Sequence, residues 1–398
     1  MLNNVHIEII KSTIPLLESA GPALTTHFYQ RMFSHNPELK DIFNMTHQQT
    51  GRQGVALFEA IAAYAKNIEN LAALQGAVER IAQKHTSFNI QPEHYQIVGH
   101  HLIETLRELA TEAFTPEVEE AWTAAYLFLA QIFIDREGEL YLQRKLAVGG
   151  WEAARTFVVE QKIVESDLVK SFVFKPKDNG PVLDYVPGQY IGIEVKPDGA
   201  SNNEIRQYSL SDMPNGETYR ISVKREGEGG QLSGLVSNHL HNSVEVGDEV
   251  KLYAPAGDFF YQERQKPVTL ISAGVGVTPM QSMLEYLSKQ QKQEPVLYLH
   301  ACEKAEQHSF TQRVSDIVTD KGWSAKTWYM NKPSTECENV LEGQMNLSQV
   351  SEAAGFEDSD FYICGPVGFM KNIVEQLDAL NIDRSRVHYE VFGPHSQF

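Results

Sequence analysis

Residues 145–164 read KLAVGGWEAARTFVVEQKIV, and the chain changes character inside this stretch. Up to Leu146 apolar residues recur every three or four positions, whereas from Thr156 to Val164 they recur every second position, with Gly149, Gly150 and Trp151 between the two patterns. The first period belongs to helix and the second to strand. An all-α part is therefore followed by a β part, and 398 residues exceed one ordinary core, so two or three domains are expected.

Toward the N-terminus the helical pattern runs back almost to Met1, punctuated by breakers. Gly21-Pro22 opens a helix through Tyr29 and Phe33, Pro92 opens another, and Thr115-Pro116 supplies an N-cap followed by proline at the first helical position. Five to eight helices fit between these marks, the number in a globin-like all-α fold. This domain is placed at 1–140, with a connector at 141–151 in which Gly149-Gly150 marks an exposed boundary. Toward the C-terminus, strand-like runs at Ser171–Lys175, Gln189–Val195, Tyr219–Lys224 and Glu249–Tyr253 alternate with turn clusters such as Met213-Pro214-Asn215-Gly216. Such a series points to a small antiparallel β-barrel over 152–262. From Pro267 strands alternate with helices: Val268–Ser272, a helix from Pro279, Val296–His300, then Phe361–Cys364 and a further helix. That alternation predicts an α/β parallel-sheet domain over 263–398.

Composition narrows the function classes. Hydrophobic residues at 42% and charged residues at 22% describe a folded chain throughout. A balance of 34 basic against 52 acidic residues, net −18, repels nucleic acid and anionic membrane, so neither is an expected partner. The most apolar segment, Ala121–Ile134, is interrupted by Thr123 and Gln131 and is too short for a membrane span. Cys302, Cys337 and Cys364 form no CxxC pair, and Met1–Lys11 lacks the basic start and apolar stretch of a signal peptide. A reducing, cytoplasmic location is expected.

Val78, Ile81, Ala82 and His85 lie on one helical stripe, which aims an imidazole at an apolar interior. That pattern alone favours a hydrogen-bonded core histidine over a metal ligand. Tyr29, Phe43 and Leu57, taken singly, are ordinary core residues; Gln53 and Leu57 share a helical face at i, i+4. Together, however, HFY (27–29), NPELKDIF (36–43), Gln53, Leu57 and KHTSF (84–88) resemble the globin domain of bacterial flavohaemoglobins. The resemblance implies haem b, with His85 as the proximal iron ligand and Tyr29 as the distal hydrogen-bond donor, assisted by Gln53 and enclosed by Phe43 and Leu57. It also implies that Tyr95 and Glu137 are hydrogen-bonded to the proximal histidine, and that Lys84 and Glu390 tune the redox centres. Without the family pattern, Glu137 reads better as a solvated carboxylate near a helix end, beside Arg136.

Pro187-Gly188-Gln189-Tyr190 followed by Arg206-Gln207-Tyr208-Ser209 resembles the FAD half of ferredoxin-reductase-like proteins. In that family Arg206 pairs with the pyrophosphate, Tyr208 covers the isoalloxazine, the Ser209 hydroxyl reaches its N5, and Tyr190 and Gln207 add contacts. Gly234-Leu235-Val236-Ser237 matches the phosphate-receiving helix start, although Gly229–Ser233 reads as a short insertion and His239 stands where family members usually have tryptophan.

VTLISAGVGVTP (268–279) is an apolar strand, a glycine turn and a helix start, with Thr278 as N-cap and Pro279 in the first turn. A structural strand-to-helix turn is its plain alternative, since GxGxTP is not GxGxxG. FYICGPVGFM (361–370) supplies a second strand end, and the pair resembles the nucleotide half of the same reductases. Gly274, Val275, Gly276, Val277, Thr278 and Pro279 would thus hold NADH or NADPH, while Phe392, Gly393 and Pro394 would close over FAD, with Glu390 and Val391 as further cofactor-binding residues, Glu390 lying toward the haem domain. The resemblance spans the chain and implies a nitric oxide dioxygenase that oxidises NO to nitrate with O2 at a haem reduced by NAD(P)H through FAD. It further implies a monomer acting on small molecules with no protein partner. Two other classes stay open: an O2 or NO binding protein whose reductase keeps its iron ferrous, and a flavin reductase with a vestigial globin.

Overall fold

The structure, a computed structural model, describes residues 2–43, 52–227, 234–290, 292–331 and 339–393, with backbone alone at 16–20, 22, 52–56 and 58. The Gly229–Ser233 insertion, Cys337 and Pro394 lie outside the described residues, as does the Gln53 side chain. Contacts group the chain into two compact units. The first comprises Met1–Ala147, Trp151–Ala154 and Glu194–Arg206; the second comprises Val148–Gly150, Arg155–Ile193 and Gln207–Phe398.

The first unit is built on helices α1 (Asn4–His35), α2 (Arg52–Lys66), α3 (Gln75–Thr86), α4 (Pro92–Leu109) and α5 (Pro116–Leu146). Asn3 caps α1 by accepting from the His6 N–H at 2.9 Å. The helix breaks at Gly21 (φ 50°, ψ −145°), a conformation open to glycine, and resumes at the following proline. Pro92 sits in the first turn of α4, and the Thr115 side chain accepts from the Val118 N–H at the start of α5, as the breakers predict. Ile10, Phe28, Met32, Ala121 and Ala125 are among the core residues with almost no exposure. Each large apolar side chain so buried contributes roughly 1.5–3 kcal/mol.

Two boundary expectations are corrected. Residues 141–146, expected in the connector, are the last turns of α5: YLQRKL keeps the helical period, and Arg144 and Lys145 suit the negative end of the helix dipole. Gly149 is half-buried rather than an exposed spacer. It has φ +72°, and a Cβ there would strike the Val182 carbonyl and approach Leu183 N to 2.9 Å.

The β part forms two six-stranded sheets among the described residues. The first comprises β1 (Arg155–Val164), β2 (Val169–Pro176), β3 (Tyr190–Val195), β4 (Glu204–Ser209), β5 (Tyr219–Lys224) and β6 (Glu249–Leu252), with α6 (Leu235–Asn242) between the last two. Its order is β4-β3-β6-β1-β2-β5, with β1 antiparallel to β2 and β6, and β2 antiparallel to β5. An antiparallel bridge from Leu210, just past β4, to Ile221 on β5 links the two outer strands. The second sheet comprises β7 (Val268–Ala273), β8 (Val296–Cys302), β9 (Ser324–Tyr329), β10 (Val340–Glu342), β11 (Asp360–Cys364) and β12 (Val387–Glu390). All its pairs are parallel, in the order β10-β9-β8-β7-β11-β12. Helices α7 (Val277–Lys289), α8 (Thr311–Lys321) and α9 (Val367–Ala379) accompany it. The central β7 is buried along its whole length, which accounts for its unbroken apolar run. No helix among the described residues is long and apolar enough to cross a membrane.

Candidate functional site

The His85 stripe packs as its spacing predicts: Val78, Ile81 and Ala82 lie against Tyr95, Phe133 and Leu140. The imidazole itself is one-third exposed, not enclosed. Its Nδ1 meets Glu137 Oε1 at 2.8 Å and the Tyr95 hydroxyl at 2.9 Å, and that hydroxyl donates to the same Glu137 oxygen at 2.6 Å. A carboxylate oxygen accepts, so we assign the Nδ1 proton to the bond with Glu137. Nε2 is then the basic nitrogen of the ring, and its direction is fixed by α4 and α5. Burial, reinforced by Glu137, holds the Tyr95 phenol well above its ordinary pKa, so it remains a donor. Glu137 is 2% exposed, which disposes of the solvated-carboxylate alternative.

Tyr29, Phe33 and Phe43 form a second set, with ring centroids 5.8 Å apart for Tyr29–Phe33, 5.9 Å for Tyr29–Phe43 and 5.4 Å for Phe33–Phe43. Leu57 packs against the same cluster from α2, and Leu129 on α5 touches both this cluster and the His85 group. Leu129 is thus a neighbour common to the cluster that holds the phenol and the group that holds the oriented imidazole. Lys84 lies beside His85 on α3 and is half-buried.

In the flavin region, Arg206, Gln207, Tyr208 and Ser209 are consecutive residues of β4, a strand that their polar sequence concealed. Arg206 Nη1 pairs with the buried Glu204 at 2.8 Å and donates to the Ile205 carbonyl at 2.8 Å, a local partnership the sequence reading missed. Tyr190 opens β3, and its ring passes over Gly257, where a Cβ would come within 3.0 Å of it. The N–H of Leu210, next to Ser209, donates to Gln189 O at 3.0 Å, so PGQY and RQYS adjoin. Gly234 is the N-cap of α6, and the Ser237 hydroxyl turns back to its carbonyl at 3.1 Å.

In the nucleotide region the glycine turn packs on the end of β11. A Cβ on Gly276 would collide with the Cys364 carbonyl and come within 2.6 Å of Gly365 N, and one on Gly365 would lie 3.1 Å from the Ala273 Cβ. Only bare backbone allows the two turns to touch, leaving the N–H groups that open α7 at the carboxyl end of the sheet. Thr278 is not the N-cap. The helix begins at Val277 after Gly276, and the Thr278 hydroxyl donates to Val275 O at 3.1 Å, because the tight GVG turn already winds the chain before threonine is reached. Glu390 ends β12 in register with Cys364, which itself pairs with Ser272. GVG, CGP and the C-terminal segment thus meet at one sheet end. There Val391 is buried, Phe392 is 46% exposed, and Gly393 has φ +135°.

Comparison with known proteins agrees with this layout. Residues 26–132 match the Globin family, 156–261 the Oxidoreductase FAD-binding domain family, and 270–375 the Oxidoreductase NAD-binding domain family. The chain is 67% identical over 397 residues to a flavohemoprotein of Vibrio cholerae serotype O1, covering 100% of this chain and 99% of that protein. The crystal structure of a flavohemoglobin from Malassezia yamatoensis with bound FAD and heme superposes with a TM-score of 0.86 at 25% identity, over 98% of this chain and 100% of that one. The FAD/NAD-binding domain of a nitric oxide dioxygenase from Vibrio cholerae O1 biovar El Tor matches with a TM-score of 0.57 at 57% identity, over 60% of this chain and 99% of that one.

Proposed function

The chain belongs to the flavohemoprotein family, and from that membership we propose that it is an NAD(P)H-dependent nitric oxide dioxygenase, converting NO to nitrate with O2 at haem b reduced through FAD. The observation that carries the reading is the hydrogen-bonded set of His85, Glu137 and Tyr95. Its donor set fits a haem: Nδ1 is committed to a carboxylate, Nε2 is the nitrogen left to ligate iron, and a carboxylate partner makes that nitrogen a stronger electron donor. The touching glycine turns at Gly276 and Gly365 likewise fit a pyrophosphate at the start of α7. When bound, haem would supply the O2-reactive iron, and FAD would convert a hydride into single electrons.

The chain's own residues then divide the work. His85 holds the iron, with Glu137 and Tyr95 fixing its ring; Tyr29 offers a phenol donor toward a diatomic ligand, and Phe33, Phe43 and Leu57 keep water from that space. Ser209, Tyr208, Tyr190 and Arg206 hold the flavin, and 274–279 hold the nicotinamide nucleotide. The proposed protein acts as a cytoplasmic monomer on NO and O2 without a protein partner.

Rapid NADH or NADPH consumption that requires NO and O2 together, with nitrate as the product, tests this. Consumption indifferent to NO would instead indicate a gas-binding protein whose reductase keeps its iron ferrous. Tyr29→Phe is expected to raise the O2 dissociation rate roughly ten- to hundredfold, the equivalent of one charge-assisted hydrogen bond of about 1.5–3 kcal/mol, with much less effect on CO. An unchanged O2 off-rate in stopped flow would remove Tyr29 from this role.

A further inference from the structure

Helix α7 does more than open at the nucleotide turn: residues further along it grip the flavin motifs. One turn past Thr278, the buried Ser282 hydroxyl donates to the Asp212 carbonyl at 2.5 Å, and the Tyr185 hydroxyl donates to the same oxygen at 2.6 Å. Asp212 lies three residues beyond Ser209, so one hydrogen bond joins the chain leaving Tyr208-Ser209 to the helix entered from GVGVTP. Met283, the next residue on α7, packs against the PGQY turn. Gly188 there has φ +109°, and a Cβ on it would lie 2.7 Å from Met283 Cε, so bare backbone lets the helix come this close.

Arg220 on β5 makes a second tie. It is buried, and its guanidinium divides between the two sides. Toward the end of the flavin motif, Nε donates to the Ser211 hydroxyl at 3.2 Å, Nη2 donates to the Ser211 carbonyl, and Nη1 lies 3.5 Å from Asp212 Oδ2. Toward α7, Nη2 reaches Glu285 Oε1 at 3.2 Å, an oxygen that also accepts from Gln281 Nε2 at 2.7 Å. Phe310 lies under the same guanidinium at 5.4 Å and is held at φ 64°, a left-handed conformation that is costly for a bulky residue. Burying a guanidinium is costly unless its donors find partners, and its partners here are Ser211, Asp212 and Glu285, on both sides of the seam between the motifs.

We propose that Ser282 and Arg220 are positioning residues for hydride transfer: together they fix how far the flavin edge at Ser209 stands from a nicotinamide held at the start of α7. This rests on the reading that the unit binds FAD and NAD(P)H. Both act through the main chain, Ser282 through Asp212 and Arg220 through Ser211, which follow Ser209 by three and two residues. Two ties to adjacent residues, made from different elements, fix a distance and an orientation that one tie would leave free to pivot. Hydride transfer is steeply sensitive to the separation of donor and acceptor, whereas a dinucleotide spreads its binding over many contacts. Loosening either tie should therefore slow the transfer and leave nucleotide affinity nearly unchanged.

The experiment is flavin reduction followed by rapid mixing of the full-length holoprotein with saturating NADH or NADPH, ordinary and deuterated at the transferred position. Ser282→Ala is expected to slow reduction roughly five- to twentyfold, less than the hundredfold of a misplacement of about 1 Å, with the nucleotide dissociation constant within about twofold. Arg220→Lys keeps the charge but not the planar fork, and should slow reduction to a similar extent. In both variants the isotope effect should become more temperature-dependent than in the wild type, the sign of a donor–acceptor distance no longer held, which a loss of stability alone would not produce. Ser288→Ala removes a hydroxyl that donates to the Glu285 carbonyl of its own helix at 2.7 Å, and should behave as wild type. Should Arg220→Lys fail to fold, Ser282→Ala decides. A wild-type rate and isotope effect in Ser282→Ala, or a change confined to nucleotide affinity or melting midpoint, would overturn the positioning role while leaving the functional reading intact. No flavin reduction by NADH or NADPH in the wild type would overturn both.

Discussion

Replacement of His85 by alanine is expected to yield a protein that purifies with FAD but without haem. Removing a mere hydrogen-bond partner of a metal-ligating histidine costs about 10- to 100-fold in affinity, so removing the ligand should cost more. The space left is bounded by Glu137 and Tyr95, whose own bond at 2.6 Å does not need the imidazole. Added imidazole should therefore enter, donate to Glu137 and partly restore a haem spectrum. The flavin motifs lie on the sheet strands β3 and β4, so FAD should be retained. The ratio of haem to flavin absorbance in purified protein gives the result. A normal ratio with an unaltered ferrous spectrum would exclude His85 as the axial ligand.

Gly276→Ala is expected to be nearly as damaging, at the other end of the electron path. A methyl group there meets main chain at Cys364 and Gly365, which cannot swing aside as a side chain can. Overpacking of this kind costs about 1–3 kcal/mol or more. Either the turn shifts, displacing the N–H groups at the start of α7, or the second unit loses stability. NADH-driven reduction of an artificial acceptor should fall by at least about a hundredfold, the scale of a 1 Å misplacement. The melting midpoint of the second unit should drop by about 5 °C or more. Haem content should be unchanged, because the His85 set lies in the first unit. Wild-type kinetics in this variant would show that the turn holds no nucleotide.

Much of this was legible in the sequence because it is local. The strand at Val268–Ala273 announced itself by an unbroken apolar run, and the His85 helix by a stripe whose neighbours pack as its spacing implies. Three features were not legible. Strand β4 reads EIRQYS, whose polar residues hide a half-buried strand. The helix start at Val277 depends on how tightly GVG winds, which threonine and proline downstream do not reveal. Asp212 and Glu285 are far apart in sequence, and neither sits in a recognisable pattern. The Arg220 guanidinium reaches both, 3.5 Å from Asp212 and 3.2 Å from Glu285, an arrangement that only the folded chain displays. The end of α5 at Leu146, by contrast, was legible: the helical period runs to that residue, and the boundary at 140 set it aside because the last turns are charged and exposed.

The bridge from Leu210 to Ile221 has a bearing on how this protein behaves when crowded. A free β-edge is a row of unpaired donors and acceptors that invites a second molecule to add a strand and begin aggregating. In the first sheet the outer strands β4 and β5 are tied to each other there, so part of that row is already satisfied from within. In the parallel sheet the outer strands are β10, three residues long, and β12, four residues long, too short to template much of an intermolecular ladder. In the parallel sheet the long, sticky strands such as β7 are therefore interior ones, and colloidal stability at high concentration is built into the topology as well as into the net charge of −18.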